Sequence, residues 1–212
     1  MIIDKNKIKA VIFDWGGVCC REAEPFASKK LQERLMMTPE EIIKEVVGVY
    51  DDFYRGKYDD EVFWRKIMNY FKLVENPSIN PKSLSQAYLD SYELWPEVMD
   101  IALRLQGVYK IGLLSDLSPV MRGHIRNKYD LNKFFPVQVF SCDECVNLQK
   151  KDGVEIFKII LNKMGVDAGT TLFIDNSQNK IKVAEGAGLK TLLFENKDKF
   201  LDDIKILLWK IF

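Results

Sequence analysis

The chain has 212 residues, 47% of them apolar and 29% charged, enough for one sizeable domain or a core with a smaller lobe. Its 31 basic and 31 acidic residues cancel, and the absence of any basic block argues against a nucleic acid or an anionic membrane as partner. Met1-Ile2-Ile3-Asp4-Lys5-Asn6-Lys7 is too polar for a secretory signal and no apolar run reaches spanning length, so the expectation is a cytoplasmic protein with reduced cysteines.

Ala10 to Phe13 reads as a short buried strand that ends abruptly on Asp14, with Gly16 and Gly17 close behind. Residues 22 to about 95 then read as helical. Glu24-Pro25 leads into a helix reaching about Met36, and Thr38-Pro39-Glu40-Glu41 opens a second that runs to about Val47, weakened by Gly48. Asp59-Asp60-Glu61 opens a third, striped with Val62, Phe63, Ile67, Tyr70 and Phe71, and Asn80-Pro81 begins a fourth reaching about Tyr92. These four helices suggest a small bundle, residues 21–95, inserted into a core made of 1–20 and 96–212.

From Trp95-Pro96 helices and strands alternate. Helix 97–106 stops at Gly107, Val108 to Leu114 is a strand ending on Ser115-Asp116, and Ser118-Pro119 opens a helix to Lys128. Pro136 to Ser141 is a short strand. Asp152-Gly153-Val154-Glu155 reads as a capping box for helix 153–164. Thr170 to Ile174 is a strand ending on Asp175-Asn176, followed by helix 178–187, strand 190–194 and an amphipathic helix over about 198–210. This order predicts an α/β fold, a doubly wound parallel sheet with an inserted helical bundle.

Cys142-Asp143-Glu144-Cys145 has metal-ligand spacing, but the adjacent Cys19 and Cys20 would make a poor chelate, and all four cysteines read as small hydrophobes. The strand endings are more informative. A single carboxylate at the end of a strand is an ordinary turn residue. Three strands ending on Asp14, Ser115 and Asp175 point those groups off one sheet edge, where open parallel sheets bind ligands. Two carboxylates there repel unless a cation lies between them, and Mg²⁺ suits such all-oxygen ligands.

Val11-Ile12-Phe13-Asp14-Trp15-Gly16-Gly17-Val18, Leu113-Leu114-Ser115-Asp116, Lys150-Lys151-Asp152 and Leu172-Phe173-Ile174-Asp175-Asn176 together resemble the haloacid dehalogenase (HAD) superfamily. The resemblance covers nearly the whole chain, in the branch with a helical cap after the first strand, and is sugar-1-phosphate-phosphatase-like. It implies Asp14 as the nucleophile forming an aspartyl phosphate, Ser115 on a phosphoryl oxygen and Lys150 neutralising both. Mg²⁺ would be held by Asp14, Asp175 and the Gly16 carbonyl, with Gly16, Gly17, Ser115 and Asp116 facing a small phosphorylated metabolite. The family usually has Lys-Pro where this chain has Lys150-Lys151, so Lys151 is a competitor for the lysine role.

The pattern departs at Gly16, where family phosphatases carry the Asp that protonates the leaving group, a role worth roughly 10²–10⁴-fold. Three readings follow: a phosphatase acting on a good leaving group, a non-catalytic phosphate- or partner-binding protein, and a metal-free dehalogenase. The last lacks its aromatic wall at Gly16. Glu22 or Glu24, at the cap hinge, is expected to restore acid catalysis in part. His124 is expected to be a solvated helix residue, and Arg55 a surface charge.

Overall fold

The computed structural model describes residues 7–207. Five parallel strands form one sheet: β1 (Ala10–Phe13), β2 (Lys110–Ser115), β3 (Val137–Phe140), β4 (Thr171–Asp175) and β5 (Lys190–Leu193), in the order β3-β2-β1-β4-β5. The oldest consequence of a two-residue side-chain period is visible in β1, which is buried on both faces. Val11 and Phe13 join the core on one face of the sheet, Ala10 and Ile12 the core on the other. The chain leaves β1 toward β2 on one side, while β4 lies on the other, so the strand order reverses between β1 and β4. That switch point is where such sheets leave a crevice. Phe13 is in register with Ile174, and Asp14 N–H donates to the Ile174 carbonyl at 2.9 Å. Asp14 and Asp175 therefore leave the sheet at the same height.

Helices cover both faces. Helices α9 (Glu155–Met164) and α10 (Gln178–Gly186) pack Ile156, Phe157, Ile160, Ile181 and Ala184 against one. On the other lie α6 (Pro96–Leu105), α7 (Pro119–Lys128), α8 (Leu131–Phe134) and α11 (Lys197–Leu207). The last helix predicted from sequence extends to about 210, beyond the described residues. No described helix is long and apolar enough to cross a membrane.

Between β1 and β2 the described chain forms five helices rather than the four predicted: α1 (Lys29–Leu35), α2 (Pro39–Glu45), α3 (Val47–Tyr54), α4 (Asp60–Tyr70) and α5 (Pro81–Leu89). Helix α1 starts later than Glu24-Pro25 because Ser28 supplies its cap, accepting from Leu31 N–H. Helix α2 begins with the full capping box of Thr38 and Glu41. The chain then breaks at Val46, and α3 continues through Gly48. Glycine costs roughly 1 kcal/mol in a helix interior, which the complete burial of Phe53 and near-complete burial of Tyr54 offset. Phe53 stacks on Phe63 at 3.9 Å, and Phe26 meets Trp64 edge-on at 5.7 Å, so aromatic rings make the centre of this helical segment.

Two chain crossings join these helices to the sheet and are tied to each other. Arg21 N–H donates to Glu93 O at 2.7 Å, and Trp95 N–H to Cys19 O at 3.0 Å. A second junction lies at the end of α3. Ser141 Oγ, beyond β3, donates to Tyr54 O at 2.6 Å. Arg55 is no free surface charge; it grips Asp152 with both guanidinium arms. That contact also explains why Asp152 does not cap α9. Its carboxylate is occupied by Arg55 and by Gln149 N–H, leaving residues 150–152 as a 3₁₀ turn and α9 to start at Glu155 without a side-chain cap. Gly56 follows with φ +78°, and a Cβ there would come within 2.7 Å of the Cys142 carbonyl. Gly56→Ala is therefore expected to lower the unfolding free energy by about 1–3 kcal/mol, measured by urea denaturation; an unchanged midpoint would mean this junction opens freely.

Candidate active site

The strand endings converge. Asp14, Ser115, Lys150 and Asp175 are 2%, 1%, 0% and 0% exposed, far below what such residues normally show. Asp14 Oδ1 accepts from Ser115 Oγ at 2.6 Å and from Trp15 N–H at 2.7 Å, which fixes the carboxylate plane. Asp14 Oδ2 faces Lys150 Nζ at 2.6 Å, and the same ammonium lies 2.6 Å from Asp175 Oδ2. The other Asp175 oxygen, Oδ1, accepts from Ser177 N–H at 2.8 Å.

Of the two adjacent lysines, Lys150 reaches this cluster. The 3₁₀ turn aims successive side chains apart, and Lys151 instead pairs with Asp51 of α3 at 2.6 Å, nearly half exposed. Asp116 fixes the turn, its Oδ1 accepting from Lys150 N–H at 3.0 Å.

Lys180 also reaches the site, a residue that sequence reasoning missed. Its ammonium is 3.3 Å from Asp116 Oδ2 and 4.0 Å from Asp14 Oδ2. The signal available was positional. Residue 180 is the third of α10, which starts just after β4 ends on Asp175, and helical side chains lean back toward their N-terminus.

The charges divide the two acids. Burial alone would raise the Asp14 carboxyl, but Lys150 and then Lys180 outweigh it and hold the group below its usual range. Burial pushes Asp175 up to about 6; Lys150 pulls against this and Asp14 adds to it. Burial would lower the Lys180 ammonium, yet Asp14, Asp116 and Asp175 raise it, so it stays charged. The site thus holds one carboxylate that is firmly anionic, as a nucleophile requires.

The remaining predicted residues surround this centre. Gly17 has φ +77°, and a Cβ there would overlap the Asn176 amide. Asn176 Nδ2 in turn donates to Glu22 Oε2 at 3.4 Å. A Cβ on Gly16 would lie 3.6 Å from Glu22 Cγ, so Glu22 borders the place where an Asp at position 16 would project. Glu24 is exposed, and its backbone N–H donates to Ser91 Oγ. A hollow of about 540 Å³ reaches Gly17, Glu22 and Asn176 beside Trp95 and Phe194. Tyr50 of α3 is within the field of Glu22 and Lys180, and burial pushes its phenol up to about 12. His124 is half-buried on α7 with its ring edge-on to Tyr92 at 5.8 Å, contrary to the expected solvated position; Tyr92 covers it.

Asp14 Oδ2 and Asp175 Oδ2 converge on the Lys150 ammonium, so the two carboxylates stand side by side at one strand edge. Hard oxygen donors of this kind fit Mg²⁺. Among the described residues no three His, Cys, Asp or Glu side chains form a ready metal cage. Asp14 and Asp175 are the side chains that could share such an ion, with oxygens from water and substrate completing its shell. Cys19, Cys20 and Cys142 are buried free thiols and Cys145 is exposed.

A family model described as haloacid dehalogenase-like hydrolase matches residues 8–188. Among solved structures, a predicted HAD-like family hydrolase from Porphyromonas gingivalis is 22% identical with a TM-score of 0.77, over 95% of this chain and 98% of that one. A HAD family enzyme from Bacteroides thetaiotaomicron, in complex with magnesium and inorganic phosphate, is 22% identical with a TM-score of 0.72, over 88% of this chain and 93% of that one. At these identities the likeness is one of fold. No curated protein matches the chain.

Proposed function

The chain belongs to the haloacid dehalogenase-like hydrolase family, and from that premise we propose that it is a Mg²⁺-dependent phosphatase of small phosphate monoesters, working through an aspartyl phosphate on Asp14. The observation that carries the reading is the state of Asp14: buried, anionic, oriented by Ser115 and Trp15 N–H, and faced by two ammonium groups. An oxygen of Asp14 attacks phosphorus, the bond from phosphorus to the leaving oxygen breaks, and that oxygen departs as an anion that takes its proton from water or, in part, from Glu22. Water then attacks the same phosphorus, releasing phosphate and regenerating the carboxylate. When substrate binds, Ser115 Oγ turns its one O–H from Asp14 Oδ1 to a phosphoryl oxygen while Trp15 N–H keeps the carboxylate in plane, and Lys150 balances the charge that gathers between Asp14 and the transferred group. When bound, Mg²⁺ supplies charge neutralisation and alignment of the phosphoryl group. The helical segment 21–95 acts as a cap that excludes water and touches the leaving group.

Gly16 offers no acid, so the substrate of choice has a good leaving group, such as a sugar 1-phosphate or an acyl phosphate. Glu22 is the carboxyl group bordering the vacated position, and it is the candidate for partial acid catalysis. Glu22→Gln is then expected to slow poor leaving groups by roughly tenfold to a hundredfold and good ones far less, because acid catalysis matters most for basic leaving oxygens. A uniform effect across leaving groups would remove Glu22 from that role.

The test of the reading is phosphate release from a panel of small esters with graded leaving groups, with Mg²⁺ and in EDTA. Turnover that requires Mg²⁺ is expected. Silence across the panel with phosphate still bound would favour the second reading, a phosphate-binding protein, which rests on Gly16.

A further inference from the structure

We propose that Lys180 is a second phosphoryl-binding cation of this site, held in place by Asp116. The proposal rests on the phosphatase reading and adds to it a residue from α10. Its basis is the unequal placement of the two lysines. Lys150 is sealed at 0% exposure with its ammonium clasped at 2.6 Å by both Asp14 and Asp175. Lys180 is 23% exposed and stands on the open side, 3.3 Å from Asp116 and 4.0 Å from Asp14 Oδ2. The longer distance is beyond hydrogen-bond range. An ammonium has three donors, and the contact with Asp116 leaves Lys180 donors to offer in front of the nucleophile. A phosphorus atom joined to Asp14 carries its own oxygens into that gap.

The charge balance points the same way. Asp14, Asp116 and Asp175 against Lys150 and Lys180 leave one net negative charge at the centre, and Glu22 stands at its edge. Without Lys180 the side chains alone would carry two, which a bound Mg²⁺ would only cancel, leaving no net positive charge to draw in a phosphate dianion. Asp116 anchors both lysines, one through its backbone N–H and the other through its ammonium. The second cation also bears on the missing acid. Charge on the leaving oxygen that no proton at position 16 relieves must be met electrostatically.

The experiment compares wild type, Lys180→Met and Lys180→Arg, measuring binding of inorganic phosphate and of Mg²⁺ separately by calorimetry, with thermal unfolding as the check on folding. Lys180→Met is expected to weaken phosphate binding by about tenfold or more, as the loss of one charge-assisted hydrogen bond implies, and to tighten Mg²⁺ binding, since the site becomes more negative. Lys180→Arg keeps phosphate binding within a few-fold. Unchanged phosphate binding in Lys180→Met overturns the proposal. So does weaker binding of both ligands together with a lowered melting temperature, which would make Lys180 a structural partner of Asp116. Because neither readout uses turnover, a failure of the phosphatase reading in the ester panel would be seen separately.

Discussion

Asp14→Asn abolishes phosphate release, with an expected loss on the order of 10⁴-fold or more, while the fold persists. The amide cannot form the acyl phosphate, so the first bond is never made. The fold survives because each lysine has a second carboxylate: Lys150 keeps Asp175 at 2.6 Å and Lys180 keeps Asp116 at 3.3 Å. Trp15 N–H and Ser115 Oγ can still donate to the amide oxygen at the Oδ1 position, while Lys150 must draw back from the amide NH₂ toward Asp175, so a modest drop in melting temperature is expected. The check is a burst and steady-state assay on the best ester of the panel, alongside thermal unfolding. Residual turnover within tenfold of wild type would show that another group attacks phosphorus and would remove the aspartyl phosphate from the mechanism.

Lys150→Met has the largest expected effect on stability. It leaves Asp14 and Asp175 buried and facing each other with no cation between them, and removing one member of a buried ion cluster costs about 3–5 kcal/mol. The cost depends on pH in a stated direction. Asp175 already stands at about 6 in the folded protein, above the roughly 3.9 of an unfolded Asp. A raised folded value means its ionisation costs stability as pH rises through 6, and without Lys150 that cost grows. Urea unfolding in EDTA should therefore show a large loss at pH 8 and a smaller one at pH 5. Added Mg²⁺ should restore more stability to the variant than to wild type, since a divalent ion replaces the lost ammonium between the two acids. Equal stability of variant and wild type at pH 8 would contradict the buried cluster.

The sheet and its three polar strand endings were readable because each rests on local signals, apolar runs bounded by glycine, proline or a carboxylate. The helix starts at Thr38, Asn80 and Ser118 were readable for the same reason: each cap lies within three residues of the amide it serves. What failed was decided by partners far along the chain. Asp152 looks like a cap for α9 until Arg55, on the end of α3, takes its carboxylate. Helix α3 looks weak at Gly48 until Phe53 and Tyr54 find their buried places. Lys150 and Lys151 are indistinguishable as letters, and the 3₁₀ turn sends one into the site and the other to Asp51. Lys180 carries no periodic or motif signal; its place depends on how α10 leaves β4. Glu22 likewise meets Gly16 only through the fold of the hinge.

The central position of β1 has a consequence for synthesis on the ribosome. Ala10–Phe13 is made before both of its neighbours, β2 at Lys110–Ser115 and β4 at Thr171–Asp175. An apolar strand buried on both faces must wait while the whole helical segment is translated, and it gains its second neighbour only after most of the chain has emerged. Pairings this distant in sequence form late and leave strand edges open in the meantime. The helices of residues 29–89, with their own aromatic centre, are the part able to collapse first. Their early folding draws Cys19 toward Trp95 through the paired crossings, shortening the loop that β2 must close to reach β1. An inserted segment that folded first would thus aid the sheet it interrupts.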